Sequence, residues 1–349
     1  MLGYIFLFLA SSLTLAISGK WTVDALTRIA YFSYWREFVV AFFTISLAAV
    51  APEFFIGVLS AFRGVPELSF GNIVGQNIIL MTLTVGLSVL ALKGNLGIAS
   101  RTVKTSATYA TLAAMLPLLL ILNGELSRID GLVLILCFLL FLSWLFKRED
   151  RFTKLFEGED YELPKRSIKG FLKDIGIAAL GFSLIILSAE GIIKSALNFA
   201  DHLGIAIASI GVLIVAAGTG FPETYFSVKL AQKGHSWMIL GGLMGSITIS
   251  STLVLGIVAL INPIIIDDIS PFAIGRFFLI LGSLAFLLFM RTKHQITNKE
   301  AWVLLTIYII FVLTMITVPY ISRDLKPDET LIDDPTSTQP LIDKKAIHI

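Results

Sequence analysis

Two glutamates stand directly after prolines in strongly apolar surroundings: Ala49-Val50-Ala51-Pro52-Glu53 and Gly218-Thr219-Gly220-Phe221-Pro222-Glu223. A carboxylate in such a stretch is costly to place in hydrocarbon unless it is paired or faces a wet cavity, so two of them point to cation or proton chemistry rather than packing. Proline cannot donate to a helical ladder and crowds the carbonyl four residues back. The carbonyls of Ala48 and Gly218 are therefore expected to be released beside the acids. Freed carbonyls next to carboxylates are oxygen ligands for a hard cation.

The two segments are copies. An offset of 170 residues places Pro52 on Pro222, Glu53 on Glu223, Gly71 on Gly241, Gly75 on Gly245 and Gly86 on Gly256. Glycine and proline are the residues most tied to special backbone geometry, so the copies should share a backbone shape. After each Pro-Glu comes a short turn and a glycine-rich helix, Gly71-Asn72-Ile73-Val74-Gly75-Gln76-Asn77 in one copy and Gly241-Gly242-Leu243-Met244-Gly245-Ser246 in the other. Glycines four apart leave a groove into which another backbone can pack closely.

The elements that must hold these residues are membrane spans. Of 349 residues 56% are hydrophobic and only 15% charged, too apolar for a soluble domain of this size. Apolar blocks long enough to cross a bilayer lie at 2–26, 36–60, 68–92, 104–123, 129–147, 170–199, 204–230, 236–262, 269–290 and 300–320. Residues 1–17 carry no charge and no convincing cleavage site, so they read as the first span rather than a signal peptide. The organisation is a first membrane repeat at 1–147, a polar cytoplasmic loop at 148–169, a second repeat at 170–321 and a disordered tail at 322–349. Five spans per half make the second copy enter upside down, the inverted-repeat plan of secondary transporters. The expected fold is an all-α integral membrane protein of about ten transmembrane helices in two inverted five-helix repeats, with Pro-broken helices at the midplane. Lysines and arginines cluster on one set of loops, including Lys93, Arg101, Lys104, Arg291, Lys293 and Lys299. That bias predicts a multi-pass protein of the cell membrane with both termini outside and the central loop in the cytoplasm.

At the Pro-Glu and glycine-rich motifs the sequence resembles the cation/calcium antiporter superfamily, the sodium/calcium exchangers and their prokaryotic relatives. Their repeats read approximately G-T-S-L-P-E followed by G-N-x-x-G-S-N, and the resemblance extends over residues 1–320. It implies that Glu53 and Glu223 coordinate the transported cation, that Thr219 and Ser246 match the family's hydroxyl ligands, and that Asn72 matches its asparagine. Ala49 and Val50 replace a Thr-Ser pair, Gln76 a serine, and Gly220 the second repeat's serine. Leu80 and Ser250 stand where the family has Asn or Asp. The candidate cation ligands are Glu53, Glu223, Thr219, Gln76, Ser246, Ser250 and the carbonyls of Ala48 and Gly218. Calcium takes about six to eight oxygens, and this set with water supplies six. The thinned hydroxyls put coupling to sodium in question, and two carboxylates that repel in one buried site make a proton a natural counter-ion.

Other polar residues carry less. Lys20 with Asp24, and Glu190 with Lys194, are spaced for ion pairs one helical turn apart near span ends, more in keeping with interfacial packing than with gating. Asn77 fits either a ligand or an interhelical hydrogen bond. His202, His235, His294 and His348 lack metal-ligand spacing, and the lone Cys137 forms no internal disulfide. No Walker, Rossmann or nucleophile-elbow motif is present, so the chain is not expected to be an enzyme or to need a cofactor. A net charge of +2 does not suggest a nucleic-acid partner; the implied partners are the lipid bilayer and inorganic cations. Exchange of Ca2+ or a similar divalent cation for Na+ or H+ is the leading reading. A monovalent cation/proton exchanger and a transport-inactive scaffold that keeps the fold stand beside it.

Overall fold

The computed structural model describes residues 1–32, 37–92, 96–97, 101–146, 168–234, 236–266, 269–292 and 295–324. Most of the central polar loop and the tail beyond residue 324 lie outside them, as do the sequence readings on His235, His294 and His348. Among the described residues nine helices are long and apolar enough to cross a membrane. The helix Glu37–Phe62, 26 residues long and carrying Pro52, makes a tenth. Spans observed and expected agree within a few residues. The exceptions are the first helix, Leu2–Phe32, which runs on past Arg28, and the last, Asn298–Asp324, which takes in the first residues assigned to the tail.

The halves are related by the expected inversion, and details the 170-residue offset did not register obey it too. Each Pro-Glu helix ends in a glycine of positive φ, Gly64 at 76° and Gly234 at 83°. These supply the left-handed residue that closes a helix before a sharp turn. Pro66 then opens the next helix at its first turn, where a missing N–H costs nothing. Both glycine-rich helices widen into a π-helical turn, Ile79–Thr84 in one copy and Ser250–Val254 in the other. A threonine at the same place in each, Thr82 and Thr252, donates back to the carbonyl four residues earlier, of Ile78 and Thr248.

Two short antiparallel strand pairs tie the halves together in the order an inversion demands. Leu96–Gly97, after the third span, pairs with Gln295–Ile296, between the ninth and tenth. Glu125–Leu126, between the fourth and fifth, pairs with Ile264–Ile265, between the eighth and ninth. Exchanging the repeats turns one pair into the other. Strands of two residues carry no periodicity, so the sequence could not announce them.

The glycine-rich spans form the centre. Within their most apolar windows, Pro66–Ala91 is 83% buried and Ile239–Ile261 78%, against 33% for Leu2–Leu26. They pack against the two Pro-Glu helices, while Leu2–Phe32 and Ile168–Leu203 pair with each other outside that group. Small residues allow the outer pair its close approach: a methyl on Gly181 or Gly191 would strike the hydroxyls of Thr22 or Ser11. Arg28, in the extension of the first helix, holds Asp174 of the sixth span at 2.8 Å.

Neither Pro-Glu helix breaks at its proline. Pro52 lies inside Glu37–Phe62 and Pro222 inside Ala216–Gln232, so each removes one bond from a helix that otherwise continues. One lost bond does not end a helix whose neighbours pack it on several sides. The irregularity nearest Glu223 is a π-helical turn upstream of the proline, at Gly211–Val215.

Candidate functional site

The Gly71 helix presents Asn72, Gln76, Leu80 and Thr84, each four residues from the last and so on one face of the helix. That row docks on the Pro222 helix. Thr219 Oγ1 donates to Asn72 Oδ1 at 3.1 Å, Gln76 Nε2 donates to Glu223 Oε2 at 3.2 Å, and Thr84 and Thr224 share a hydrogen bond of 2.7 Å. Thr224 Oγ1 spends its own proton on the Gly220 carbonyl at 2.9 Å, so Thr84 is the donor of that bond. Only Leu80 contributes nothing polar, and it is fully buried.

Close approach is what allows these short side chains to meet. A methyl on Gly71 would strike the carbonyl oxygen of Ala208, and one on Gly75 that of Val212. From the other helix, a methyl on Gly211 would lie 2.6 Å from the Leu68 oxygen. The crossing is backbone against backbone, as the glycine spacing predicts. Gly75 and Gly245 are both buried.

Glu53, from the first repeat, approaches Glu223 of the second. It is 1% exposed, its Oε2 has no hydrogen-bond partner, and it lies within electrostatic reach of both Gln76 and Glu223. Glu223 is partly exposed. Ser246 stands near enough to Glu223 to interact electrostatically, yet its buried Oγ makes no hydrogen bond. Ser250, one turn on, donates to the Ile247 carbonyl at 3.3 Å and keeps its lone pairs. Gln76 Oε1 and Asn77 Oδ1 are buried and unpaired as well. Each unpaired buried group costs about 1–3 kcal/mol, and a cation among Glu53 Oε2, Gln76 Oε1 and Ser246 Oγ would satisfy three of them at once.

Of the sequence candidates, then, Glu53, Glu223, Gln76, Ser246, Ser250 and Thr219 lie where the two repeats meet. Gly218 turns its Cα toward the first helix, where a methyl would meet Phe8 and Ser12. Ala48 lies within the Pro52 helix, and its side chain is outside the described residues. Asn77 takes the interhelical option: its Nδ2 donates to Ser251 Oγ at 2.7 Å, joining the two glycine-rich spans. Sequence reasoning missed Thr84, Thr224 and Ser251. The four-residue spacing of Asn72, Gln76 and Thr84 was the available signal.

The outer charged residues depart from expectation in two respects. Lys194 does pair with Glu190, at 3.6 Å, but Arg63 of the turn after the Pro52 helix holds the same carboxylate with two bonds, of 2.5 and 3.2 Å. Lys20 makes no ion pair with Asp24 and lies over the Phe226 ring, 5.8 Å from its centroid. An aromatic face of the Pro222 helix satisfies this cation as well as an exposed carboxylate would.

The geometry agrees with comparison to known proteins. The sodium/calcium exchanger MaX1 of Methanosarcina acetivorans is 32% identical over 146 residues, 42% of this chain and 41% of its own. Among solved structures, the H+/Ca2+ exchanger CAX superposes with a TM-score of 0.67 at 17% identity, covering 92% of this chain and 88% of its own. The sodium-calcium exchanger NCX_Mj superposes at 0.57 and 23%, covering 89% and 97%. Both are likenesses of fold. The family model described as sodium/calcium exchanger protein matches residues 3–147 and 173–317, nearly the whole membrane part, and the chain belongs to the sodium/calcium exchanger family.

Proposed function

We propose that this protein is a secondary antiporter that carries Ca2+, or a divalent cation like it, against protons by alternating access. The observation that carries the reading is the convergence of Glu53 and Glu223, one from each inverted repeat, on Gln76, amid buried oxygens that lack partners. Glu53 and Glu223 supply the charge that binds a divalent ion. Gln76 Oε1, Ser246, Ser250, Thr219 and the carbonyls of Ala48 and Gly218 supply neutral oxygens toward the six or more that calcium takes. The moving parts are the repeats 1–147 and 170–321, joined by the cytoplasmic segment 148–169, with both termini outside.

The proton is favoured as counter-ion by the buried residues around the site. Leu80 fills the one polar-row position that could have added an oxygen, and Val50 is buried where a hydroxyl would serve sodium. When the divalent ion leaves, the two carboxylates face each other without it, and a proton on one of them relieves the repulsion. MaX1 and NCX_Mj are named for sodium and CAX for protons; the thinned hydroxyls support the proton as counter-ion here.

The test is calcium uptake by purified protein in liposomes under an imposed pH gradient, then under a sodium gradient at constant pH. Uptake driven by the pH gradient and indifferent to sodium is the expected result. Uptake driven by sodium with no proton flux refutes proton coupling. No flux of calcium or another divalent ion under either gradient refutes the antiport reading.

A further inference from the structure

We propose that the protein binds an anionic phospholipid headgroup in a cavity between its fourth and ninth spans, at the end the basic-residue bias places in the cytoplasm. A cavity of about 590 Å³ opens there, lined by Lys104, Thr105, Thr108, Tyr109, Leu112 and Arg291. It shares no residue with the site of the glutamates.

The lining matches a phosphodiester with chains attached. Arg291 reaches across from the ninth span and donates from Nη2 to Thr108 Oγ1 at 3.1 Å, which holds the guanidinium at the mouth with most of its donors unspent. Among the described residues neither Lys104 nor Arg291 pairs with a carboxylate. Two cations on different helices, with threonine and tyrosine hydroxyls between them, suit the charge and the oxygens of a phosphate. Tyr109 is held by ring contacts with Trp144, at 4.9 Å between centroids, and with Phe141, at 5.7 Å, so that wall is rigid. Tryptophan and tyrosine at this level mark the headgroup zone.

A lipid fits better than a free anion because the polar end continues into an apolar track. Lys104, Thr108 and Leu112 follow one another at four-residue spacing down one face, and Leu112 is 59% exposed. Leu288 and Leu284, below Arg291 on the facing span, are exposed to a similar degree. An acyl chain lying along these leucines continues from a phosphate held by the two cations.

The sequence around the cavity is basic as well. The pairing of Leu96–Gly97 with Gln295–Ile296 joins the chain before the fourth span to the chain after the ninth. In the sequence, 92–104 and 291–300 carry six basic residues, Lys93, Arg101, Lys104, Arg291, Lys293 and Lys299, against the single acid Glu300. Glu300 is occupied in a capping box with Thr297. The fold does not require this: at the pseudo-symmetric end, the 170-residue offset puts Ile274, Phe278 and Ile121 where Lys104, Thr108 and Arg291 stand.

Native mass spectrometry of the detergent-purified full chain tests the proposal, with phosphatidylglycerol and phosphatidylcholine of identical acyl chains added separately and inorganic phosphate as competitor. Wild type should retain phosphatidylglycerol in preference to phosphatidylcholine, and millimolar phosphate should not displace it. Removing two surface cations in K104Q/R291Q should weaken retention by roughly 30-fold. The charge-conserving K104R/R291K should hold the lipid, and an unchanged melting temperature shows that each variant is folded. Equal retention of the two lipids, or an unaltered K104Q/R291Q, overturns the proposal. Displacement by phosphate assigns the cavity to a soluble anion and overturns it as well.

Discussion

Replacing Gly75 by alanine adds one methyl group at the crossing of the Gly71 and Pro222 helices, where backbone already meets backbone. That methyl would lie 2.7 Å from Ala216 Cβ and closer still to the carbonyl oxygen of Val212, which belongs to a π-helical turn and has no side-chain freedom with which to yield. Carbon atoms rest at about 3.5–4.0 Å, so the Gly71 and Pro222 helices must separate by about 1 Å. Overpacking of this kind costs about 1–3 kcal/mol. The separation also reaches the site. Gln76, the next residue, donates to Glu223 at 3.2 Å, and a further ångström takes that bond beyond hydrogen-bonding range. G75A should therefore lower the melting temperature in detergent and lose most calcium uptake in liposomes, although no ligand has been altered. Gly176 supplies the control, since a methyl there meets nothing within 4 Å and alanine favours a helix over glycine by about 1 kcal/mol. G176A should melt at or above wild type and transport normally. A G75A protein that melts and transports like wild type would show that the two backbones do not cross as closely as described.

Three further outcomes follow from the same geometry. Glu53→Gln keeps the shape of a 1% exposed side chain but removes half of the site's charge, so calcium uptake should vanish while the protein still purifies as a folded species; uptake within about tenfold of wild type would mean that Glu53 is not a ligand. Leu80→Asn restores an oxygen to the buried polar row and should introduce sodium-dependent calcium uptake, read by imposing a sodium gradient at constant pH; no sodium dependence in a folded variant would show that Leu80 does not decide the counter-ion. Asn77→Ala leaves Ser251 buried without its 2.7 Å partner, and a double-mutant cycle with Ser251→Ala, read by thermal melting, should give a coupling of about 1 kcal/mol; additive effects would contradict the bond.

How far the sequence foretold this site depended on what kind of information each feature carries. Pro52, Glu53 and the glycines could be read because they do something no other residue does equally well, and because each recurs at its image in the second half. Gly64 and Gly234 carried the same signal, and with it the turn that closes each Pro-Glu helix. The π-helical turns left only Thr82 and Thr252 as a trace, for a threonine donating to a carbonyl four back occurs in ordinary helices too. Expecting the helices to break at proline overstated a local effect, since removing one bond from a packed helix does not end it. Partner choice was the least legible. Asn77 and Gln76 are adjacent polar residues on one helix, yet one reaches Ser251 and the other Glu223, a distinction set wholly by which spans stand on either side.

The inversion relates the two backbones without relating their side chains, and the difference falls on the surfaces where the two repeats meet. The Gly71 helix is fastened to the Pro222 helix by three side-chain hydrogen bonds, Asn72 with Thr219, Gln76 with Glu223 and Thr84 with Thr224. Applying the 170-residue offset to those pairs gives Gly242 with Ala49, Ser246 with Glu53, and Val254 with Phe54. The first and last of these cannot form a side-chain hydrogen bond, and in the second both Ser246 Oγ and Glu53 Oε2 lack a partner. Parting the first surface breaks three bonds worth about 1 kcal/mol each, whereas parting its image breaks none of the equivalents. The image surface also holds two of the unpaired oxygens, Glu53 Oε2 and Ser246 Oγ, so a cation settling between them would supply the link that the side chains do not. Under the proposed antiport, cation binding would stabilise closure most on the side where the protein itself contributes least, and that differential is what a ligand needs in order to shift a conformational equilibrium.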